Sequence, residues 1–497
     1  MAKSKLREAE ESLLFQCRKY LSKNDLAKVQ EAVKFTKDAH LVQKRKSGEP
    51  YAVHPILTAL RLAALKLDKD TIVAALLHDT LEDTNIKPQF IQRKFGGAVL
   101  SLIESVTRLG KVRIKKSWFP FYRTKRIDMT EFERQVETLR KMLIAVAKDV
   151  RVILIKFSDR IYNLETLEYL DKAKRERIAK EAIEIYAPIA GRLGINEWKD
   201  QLEDLSFPYV YPDEYKNLRK LAIPEIKTRE KYLRTLSKKV SEMLKQNGIK
   251  HKIMFRAKRW YSLYKKLKRY DGDISRVHDL VALRVIVGSI EDCYSVMGLI
   301  HSRWKPLVGR IKDYVAMPKP NRYQSLHTTV FCNNNEIVEF QIRTKEMHHQ
   351  AEYGVAGHWI YESENRSKYA KKHEVKWLKE FSKFQKEIKS ARELATSLSL
   401  DFFQDRIFVF TPKGDAKDLP INSTPVDFAY SVHTDIGNHC SGARVNQKIV
   451  PLNSKLQNGD IVEIIVSESA KPHLDWLEFV VTEMARTHIK KKYKINL

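Results

Sequence analysis

The sequence predicts a multidomain chain with an all-α region first, an α+β domain in the middle and a small β-rich module near the end. Three observations predict it. From the start to roughly Ile195, apolar residues recur at helical spacing with few Gly or Pro, as in TIVAALLHDTLED and RERIAKEAIEIYAPIAGRLG. After Asn247 the character changes to β-rich runs, LVALRVIVG and HTTVFC–NNN–EIVEFQIRT, the second a hairpin with an Asn turn. From Asp405 short strands and turns follow, as in RIFVFTP, DLPINST, GARVNQKIV and NGDIVEIIV, ending near Ser467. A chain of 497 residues is long enough for several cores of this size.

In chain order, Gly48-Glu49-Pro50 reads as a turn between two helices, and Lys111 to Glu133 as a long basic, aromatic loop or inserted arm. Two further helices are expected near Lys199–Leu205 and Ile226–Asn247. Others, around Asp292–Leu299 and Met347–Tyr361, pack with the strands. Ser363 to Arg392 reads as a charged helical connector, and LDWLEFVVTEMARTHIKKKYKINL as a helical, basic tail. The boundaries drawn are 1–198, 199–365, 366–403 for the connector, 404–468 for the β-rich module and 469–497 for the tail.

Lys plus Arg is 91 against 62 for Asp plus Glu, an excess of +29 that favours polyanionic partners or simply a soluble basic surface. Cys17, Cys293, Cys332 and Cys440 lack metal-ligand or redox spacing, so free thiols in a reducing cytoplasm are expected. The N-terminus has no apolar core of a signal peptide, and no apolar run is long enough to span a membrane. No GxxxxGK[ST] is present, which argues against a P-loop enzyme.

One candidate site lies in the helical region. His78-Asp79 is expected inside an apolar helix with Glu82-Asp83 one turn on, so that four-residue spacing sets these pairs on adjoining faces. Two carboxylates and a histidine on apolar ground are costly unless they bind something. A His-Asp pair alone reads first as a capped, hydrogen-bonded core pair; HDTLED together with His54 and Asp159 reads as a site. Such a set suits Mn, Fe or Zn, which acidifies a bound water and neutralises a phosphate ester. Asn163 and Thr166 extend the Asp159 face.

RKSGEPYAVHPI, LLHDTLEDT and KFSDRIYNLETL resemble the HD-type hydrolase domain of the bifunctional RelA/SpoT homologue family, the (p)ppGpp synthetase/hydrolases. The resemblance implies that His54, His78, Asp79 and Asp159 hold the metal, manganese in this family. It assigns Glu82 and Asp83 to the attacking water, and Arg45, Lys46, Asn163 and Thr166 to the nucleotide and its 3′-pyrophosphate. Tyr162 departs from the family, standing where a His is expected; so does the long basic arm before Arg134.

The second candidate site is a cation-rich set. RAKRWYSLYKKL carries Arg256, Lys258, Arg259, Lys265 and Lys266, either a triphosphate cradle or a solvated basic helix. Asp279 opens a strand that bears Arg284, GRIKDYVAMPKPNRYQSLHTTV adds polar and basic side chains, and EFQIRT adds Glu339, Gln341 and Arg343. Pyrophosphoryl transfer needs this inventory: cations for phosphates, carboxylates for Mg²⁺, and a base for the attacking hydroxyl. Tyr323 offers a flat face for a purine.

These strings resemble the nucleotidyltransferase-like synthetase domain of the same family. The resemblance gives Asp279 and Glu339 to Mg²⁺, with Glu339 also activating the ribose 3′-hydroxyl, and Arg256, Lys258, Ser262 and Lys266 to ATP. Lys312, Lys319, Asn321, Tyr323 and His327 would surround GDP or GTP, and Arg310, Gln324 and Gln341 complete the substrate set. Arg310-Ile311-Lys312-Asp313 has the RxKD form of bifunctional members. Arg322, where Gly is common, and Gly357, where Ala is common, depart from the pattern.

VFTPKGD, STPVDFAYSVHTDIGN and VPLNSKLQNGDIVEI resemble the TGS domain, a small β-grasp fold. In this family it implies contact between His433 and the CCA end of uncharged tRNA on the ribosome, although a histidine there can equally cap a turn. The basic tail from Arg486 to Lys494 would add phosphate contacts.

The whole reads as a bacterial, cytoplasmic stringent-response enzyme. It would move pyrophosphate from ATP to the 3′-hydroxyl of GDP or GTP and also hydrolyse the 3′-pyrophosphate of (p)ppGpp. Opposed activities in one chain imply a switch between them. Two other readings stay open: a hydrolase with a nucleotide-sensing pseudo-synthetase domain, supported by Arg322, and an RNA- or ribosome-binding regulator, supported by the charge.

Overall fold

The computed structural model describes residues 2–110, 148–277, 279–319, 323–332, 336–354, 406–457 and 459–493, with isolated positions between 138 and 145. The arm Lys111–Glu133, the Asn turn 333–335, Gly357, most of the expected helix beyond Tyr353, the connector, and Lys494 lie outside the described residues. The described residues form two compact units, one running to Gly354 and one starting at Arg406.

The first part of the larger unit is helical, as its periodicity requires. At its centre is the helix Lys69–Leu77, buried at every position from Thr71 to Leu77. A helix apolar all round has to be surrounded. Here Lys23–Ala39, Val53–Ala64, Gly97–Gly110 and Val150–Glu165 pack against it. Side-chain caps fix where several of these begin: Ser22 accepts from the Asp25 amide, Asp68 from Thr71 and Asp149 from Arg151.

One expectation is corrected in this region. His78-Asp79 does not continue the apolar helix, which closes at Leu77; Thr80–Asp83 forms a separate turn. The His78 ring supplies the reason. Its Nδ1 takes the Ala75 carbonyl at 2.8 Å, the acceptor that the Asp79 amide would use in a continuing helix.

The helices Asn196–Val210 and Pro212–Gln246 follow, both longer than the sequence indicated. Pro224 sits inside the second. It is tolerated because Pro224 and Lys220 are exposed, so water serves the carbonyl that lost its partner.

The α+β part is a five-stranded sheet in the order β1-β2-β5-β4-β3. The strands are β1 (His251–Ala257), β2 (Val281–Val287), β3 (Lys312–Asp313), β4 (Leu326–Phe331) and β5 (Ile337–Thr344). β2 and β5 are parallel and the remaining pairs antiparallel. Period-2 alternation divides the two faces. Leu283, Val285, Phe340, Ile342, Leu326 and Val330 face a core shared with Leu236 and Val240 of the long helix and Val296 and Ile300 of Ile290–Arg303. The alternate residues Arg256, Arg284, His327, Glu339, Gln341 and Arg343 therefore share the opposite face.

The smaller unit has strands β6 (Arg406–Phe410), β7 (Ala416–Pro420), β8 (Cys440–Val445), β9 (Lys448–Val450) and β10 (Val462–Val466). Its short-strand reading needs an addition: PVDFAYSV is a helix, Pro425–Val432, started by a capping box between Thr424 and Asp427. Asp427 is fully buried. Besides Thr424 it accepts from the Val481 and Thr482 amides and from the Thr482 hydroxyl, at 2.7–3.2 Å. One carboxylate thus starts a helix and ties in the following segment. Trp476, Val480, Ala485 and Ile489 of that segment share a core with Val426, Ala429 and Tyr430.

The architecture is a helical domain, an α+β domain built on a five-stranded mixed sheet, and a small β module with its own helix. Replacing Asp427 with Ala leaves several buried N–H groups unpaired. It is expected to destabilise the smaller unit by about 3 kcal/mol, measured as lost hydrogen-exchange protection in residues 425–492 of the full chain.

Candidate active sites

The first site forms where the central helix ends. His54 comes from the helix Val53–Ala64, His78 from the break after Leu77, and Asp159 from the helix Val150–Glu165. All three are buried, and ligand atoms of the three lie within 4.8 Å of one another. His54 Nε2 stands 3.3 Å from Asp159 Oδ1 and 3.4 Å from Asp79 Oδ2, and His78 Nε2 stands 3.2 Å from Asp79 Oδ1.

The protonation geometry favours a cation. His78 Nδ1 donates to Ala75, and its Nε2 is buried without a hydrogen-bond partner among the described residues. Burial alone would raise the Asp159 carboxyl. Lys156, His54 and His78 instead hold it well below the usual carboxylate range. Burial would likewise raise Asp79, but His78 and His54 pull it down. Two ionised carboxylates and an orphaned imidazole nitrogen fit a divalent ion, so the residues present suit a divalent metal.

Around this cluster, Arg45 Nη2 donates to Asn163 Oδ1 at 2.6 Å, and Asn163 Nδ2 to Asp159 Oδ1 at 2.6 Å. Arg45 and Asn163 therefore join the site. Thr166 caps the end of its own helix, donating to the Tyr162 carbonyl at 3.2 Å. Lys46, Glu82 and Asp83 are exposed. Tyr162, in the expected His position, packs on His54 with centroids 5.0 Å apart and donates to Glu49. The Arg45 guanidinium lies 5.1 Å from the same ring, so Tyr162 keeps contact with both the histidine and the basic loop.

Two residues here were missed by sequence reasoning. Tyr51 Oη lies 2.9 Å from Asp79 Oδ2 and 2.6 Å from Asp83 Oδ2, bridging a candidate ligand to a candidate water-orienting carboxylate. Lys156 Nζ donates to Asp159 Oδ2 at 2.7 Å. Its i−3 spacing from Asp159 was a readable signal; the Tyr51 contact spans segments that no local pattern connects.

The second site occupies the polar face of the sheet. Asp279 precedes β2 and accepts from Lys258 Nζ at 2.5 Å and Lys266 Nζ at 2.6 Å. Burial would raise its carboxyl, but the two ammonium groups bring it down to about 2. Ser262 lies one helical turn before Lys266 on Trp260–Lys268. Glu339 Oε1 accepts from Gln341 Nε2 at 2.9 Å and faces His327 Nδ1 at 3.6 Å. Gln341 Oε1 in turn faces Arg256 Nη1 at 3.4 Å.

Tyr323 bonds His327 Nε2 through its hydroxyl at 2.8 Å, and Lys319 Nζ lies 4.9 Å from its ring. Burial, with Lys312 and Arg256 nearby, lowers Lys319 to about 8. Lys312 is on β3 opposite His327. Arg310 is exposed in the preceding turn. Gln324 donates its amide to the Val315 carbonyl at 3.2 Å and so braces a turn. Asp313 of the RxKD string does the same, accepting from the Val315 and Ala316 amides. Asn321 and Arg322 lie outside the described residues. Sequence reasoning missed Tyr314, whose ring meets those of Tyr323 and His327 edge-on, and Glu352, which faces Arg284 and Arg343.

In the smaller unit, His433 Nδ1 accepts from the Asp435 amide at 3.3 Å while its side chain stays 66% exposed. It caps a turn and still presents its ring to solvent.

The described residues thus hold two separate polar clusters, a histidine–carboxylate centre in the helical domain and a lysine-clamped carboxylate beside a cation-lined sheet face. Family comparisons agree. The HD domain matches residues 32–196, the region found in RelA / SpoT proteins matches 255–366, and the TGS domain matches 407–466. The guanosine-3′,5′-bis(diphosphate) 3′-pyrophosphohydrolase of Aquifex aeolicus is 45% identical over 94% of this chain and 64% of its own length. The GTP pyrophosphokinase of Myxococcus xanthus is 44% identical over 94% of this chain and 60% of its own. The bifunctional (p)ppGpp synthase/hydrolase SpoT of Escherichia coli K12 is 41% identical over 96% of this chain and 66% of its own. The chain belongs to the RelA/SpoT homologue family. It spans about three-fifths of the length of the first two of these relatives, 64% and 60%.

The metal reading has a direct check. Equilibrium dialysis with Mn²⁺ is expected to give a bound ion that His78→Ala weakens by at least about 10-fold. Unchanged binding would place the ion elsewhere.

Proposed function

We propose that this chain both makes and destroys (p)ppGpp. The observation that carries the reading is the presence of two complete residue sets in one chain. One is His54, His78 and Asp159 with an unpartnered His78 Nε2; the other is Asp279 and Glu339 on a cation-lined sheet face.

In the helical site, His54, His78, Asp79 and Asp159 would hold a divalent ion, Mn²⁺ by family resemblance. That ion would supply charge neutralisation and an acidified water. Arg45 and Asn163, with Lys46 and Thr166, bind the nucleotide 3′-pyrophosphate. Glu82 and Asp83 take and return protons, and Tyr51 orients Asp83 through its hydroxyl.

In the sheet site, Asp279 rests between Lys258 and Lys266. Incoming ATP phosphates take over the two ammonium groups and release the carboxylate, which with Glu339 would hold Mg²⁺, the ion that shields the transferring phosphates. Arg256 and Ser262 complete the ATP contacts. Tyr323 stacks the guanine, while Lys312, Lys319, Asn321 and His327, with Arg310, Gln324 and Gln341 around them, hold GDP or GTP. Glu339 accepts the proton of the ribose 3′-hydroxyl as it attacks the β-phosphorus of ATP and AMP leaves.

The TGS module would present His433 to the CCA end of uncharged tRNA, with Arg486, Lys490 and Lys491 adding phosphate contacts. Four buried free thiols suit a reducing cytoplasm, and no described helix is long and apolar enough to cross a membrane.

A paired assay tests the reading. One reaction holds ATP, GDP and Mg²⁺; the other holds ppGpp and Mn²⁺. The chain is expected to form ppGpp in the first, and GDP with pyrophosphate in the second. Asp279→Ala is expected to abolish only synthesis and His78→Ala only hydrolysis, each by at least about 100-fold. Equal loss of both activities in either variant overturns the two-site reading.

A pH prediction follows from Lys319. Its folded value, about 8, lies below the ordinary 10.5, so the folded chain releases this proton before the unfolded chain does. The cost of keeping it charged is fully present below pH 8 and relieved above. Anionic nucleotide favours the charged form. The KM for GDP is therefore expected to rise above pH 8 by up to about 10-fold per pH unit, and Lys319→Met is expected to remove that limb.

A further inference from the structure

The helix Pro212–Gln246 is the longest described element, and its outward face belongs to neither candidate site. Leu218, Ala222, Leu233, Leu236, Val240 and Leu244 are buried and seat it along most of its length. At about 3.6 residues per turn, Lys216, Lys220 and Lys227 fall on the side away from that seat. Lys231, Arg234, Lys238 and Lys245 continue the same line, within an arc about 60° wide. No other residue between Lys216 and Lys245 falls in that arc, so every position in it carries a cation. At about 1.5 Å per residue the stripe is about 43 Å long.

All seven side chains are exposed, and none makes an ion pair or hydrogen bond among the described residues. Glu214 and Glu225 stand well round the helix, and Glu230 and Glu242 only border the arc. A helix face that merely needs solvation does better with mixed signs, because opposite charges at i, i+4 stabilise a helix and like charges weaken it. Here Lys216–Lys220, Lys227–Lys231 and Arg234–Lys238 are all like-charged pairs at that spacing. Near the C-terminal end, Ser237 and Ser241 join Lys238, Lys245 and Lys250 in an open groove beside β1, where short polar side chains let a ligand come close.

An extended anion relieves this repulsion. A single nucleotide needs a concavity, not a convex line of seven cations. A helix lying on an anionic bilayer needs an apolar face beside its cations, and the apolar face of this one is buried. A nucleic acid duplex carries regular phosphates along a stiff axis. The arc holds no aromatic side chain, so the bases of a single strand have no platform on which to stack. Because the helix is embedded along its other side, it cannot enter a deep groove as a recognition helix does; it can lie only across backbones. The wide, shallow minor groove of A-form RNA accepts such an approach, and double-stranded RNA modules cover roughly 16 base pairs, a length comparable to the stripe.

We propose that the outward face of Pro212–Gln246 is a docking surface for the phosphate backbone of double-stranded RNA. The contact is independent of sequence and weakens steeply with salt, and it uses no residue of either candidate active site or of the His433 module.

Fluorescence anisotropy on the full chain tests it, with a labelled RNA duplex of about 16 base pairs in about 0.1 M KCl. Lys227→Gln, Lys231→Gln and Lys238→Gln combined are expected to weaken binding by at least about 30-fold and to reduce the slope of log affinity against log salt by about 3. The same three positions changed to Arg are expected to hold the affinity within about 3-fold. Arg486→Gln, Lys490→Gln and Lys491→Gln combined are expected to change duplex binding by less than about 3-fold. Glutamine forms helices well, and the positions are exposed, so the fold is expected to persist. If the triple variant nevertheless unfolds, Lys216→Gln with Lys220→Gln is expected to weaken binding by about 10-fold. Unchanged binding in the folded glutamine variants overturns the proposal, as does a loss confined to the Arg486 set. Tighter binding of the matching single strand or DNA duplex also overturns it. So does stripe-dependent binding of phosphatidylserine vesicles or polyglutamate without binding of the RNA duplex.

Discussion

Charge removed from water must find opposite charge or a ligand, and both candidate sites are arranged around that requirement. In the helical domain the ground is almost entirely apolar, and the central helix Lys69–Leu77 offers no polar side chain other than Thr71 to its buried surroundings. His54, Asp79 and Asp159 compensate one another there, with Lys156 on the far oxygen of Asp159. The arrangement depends on the bond from His78 to the Ala75 carbonyl. It ends the helix, turns Asp79 and the Thr80–Asp83 turn toward Tyr51, and leaves the second nitrogen of His78 buried without a hydrogen-bond partner among the described residues.

The sheet solves the same problem by alternation. Its two central strands place aliphatic side chains on one face and arginine, glutamine and glutamate on the other, so an apolar core and a charged site share the same few residues. Asp279 and Glu352 are the counterweights, the first between two lysines, the second beside two buried arginines. Such a face is compensated by its own side chains.

The helix Lys345–Tyr353 is one of the contacts between the helical domain and the sheet domain, beside the ion pairs Arg259–Glu197 and Lys265–Glu203. Its Ala351 carbonyl accepts from Asn196, and Gly354 lies with backbone at φ +50° against Leu193 and Gly194. A Cβ at Gly354 would stand 2.3 Å from the Leu193 carbonyl oxygen, so glycine is required there. The helix that carries Glu352 to the polar face of the sheet is thus seated on the end of the helical domain.

Much of this was legible in the sequence. The helical region, the strands LVALRVIV and EFQIRT, and the metal-type residues His54, His78 and Asp159 follow from periodicity and residue type, because these are local or carried by contiguous strings. What the sequence did not determine depends on side chains that compete with the backbone or meet across long separations. The helix break at His78 came from an imidazole taking a backbone acceptor, which helical periodicity does not register. The helix Pro425–Val432 and its attachment to residues 476–489 came from the several bonds of Asp427. Tyr51 on Asp83, and Glu352 beside Arg343, came from packing alone. Sequence fixes which chemical groups are present and which face of an element they occupy; only the tertiary structure decides which of them compensate one another, because that depends on distances between elements that no local pattern encodes.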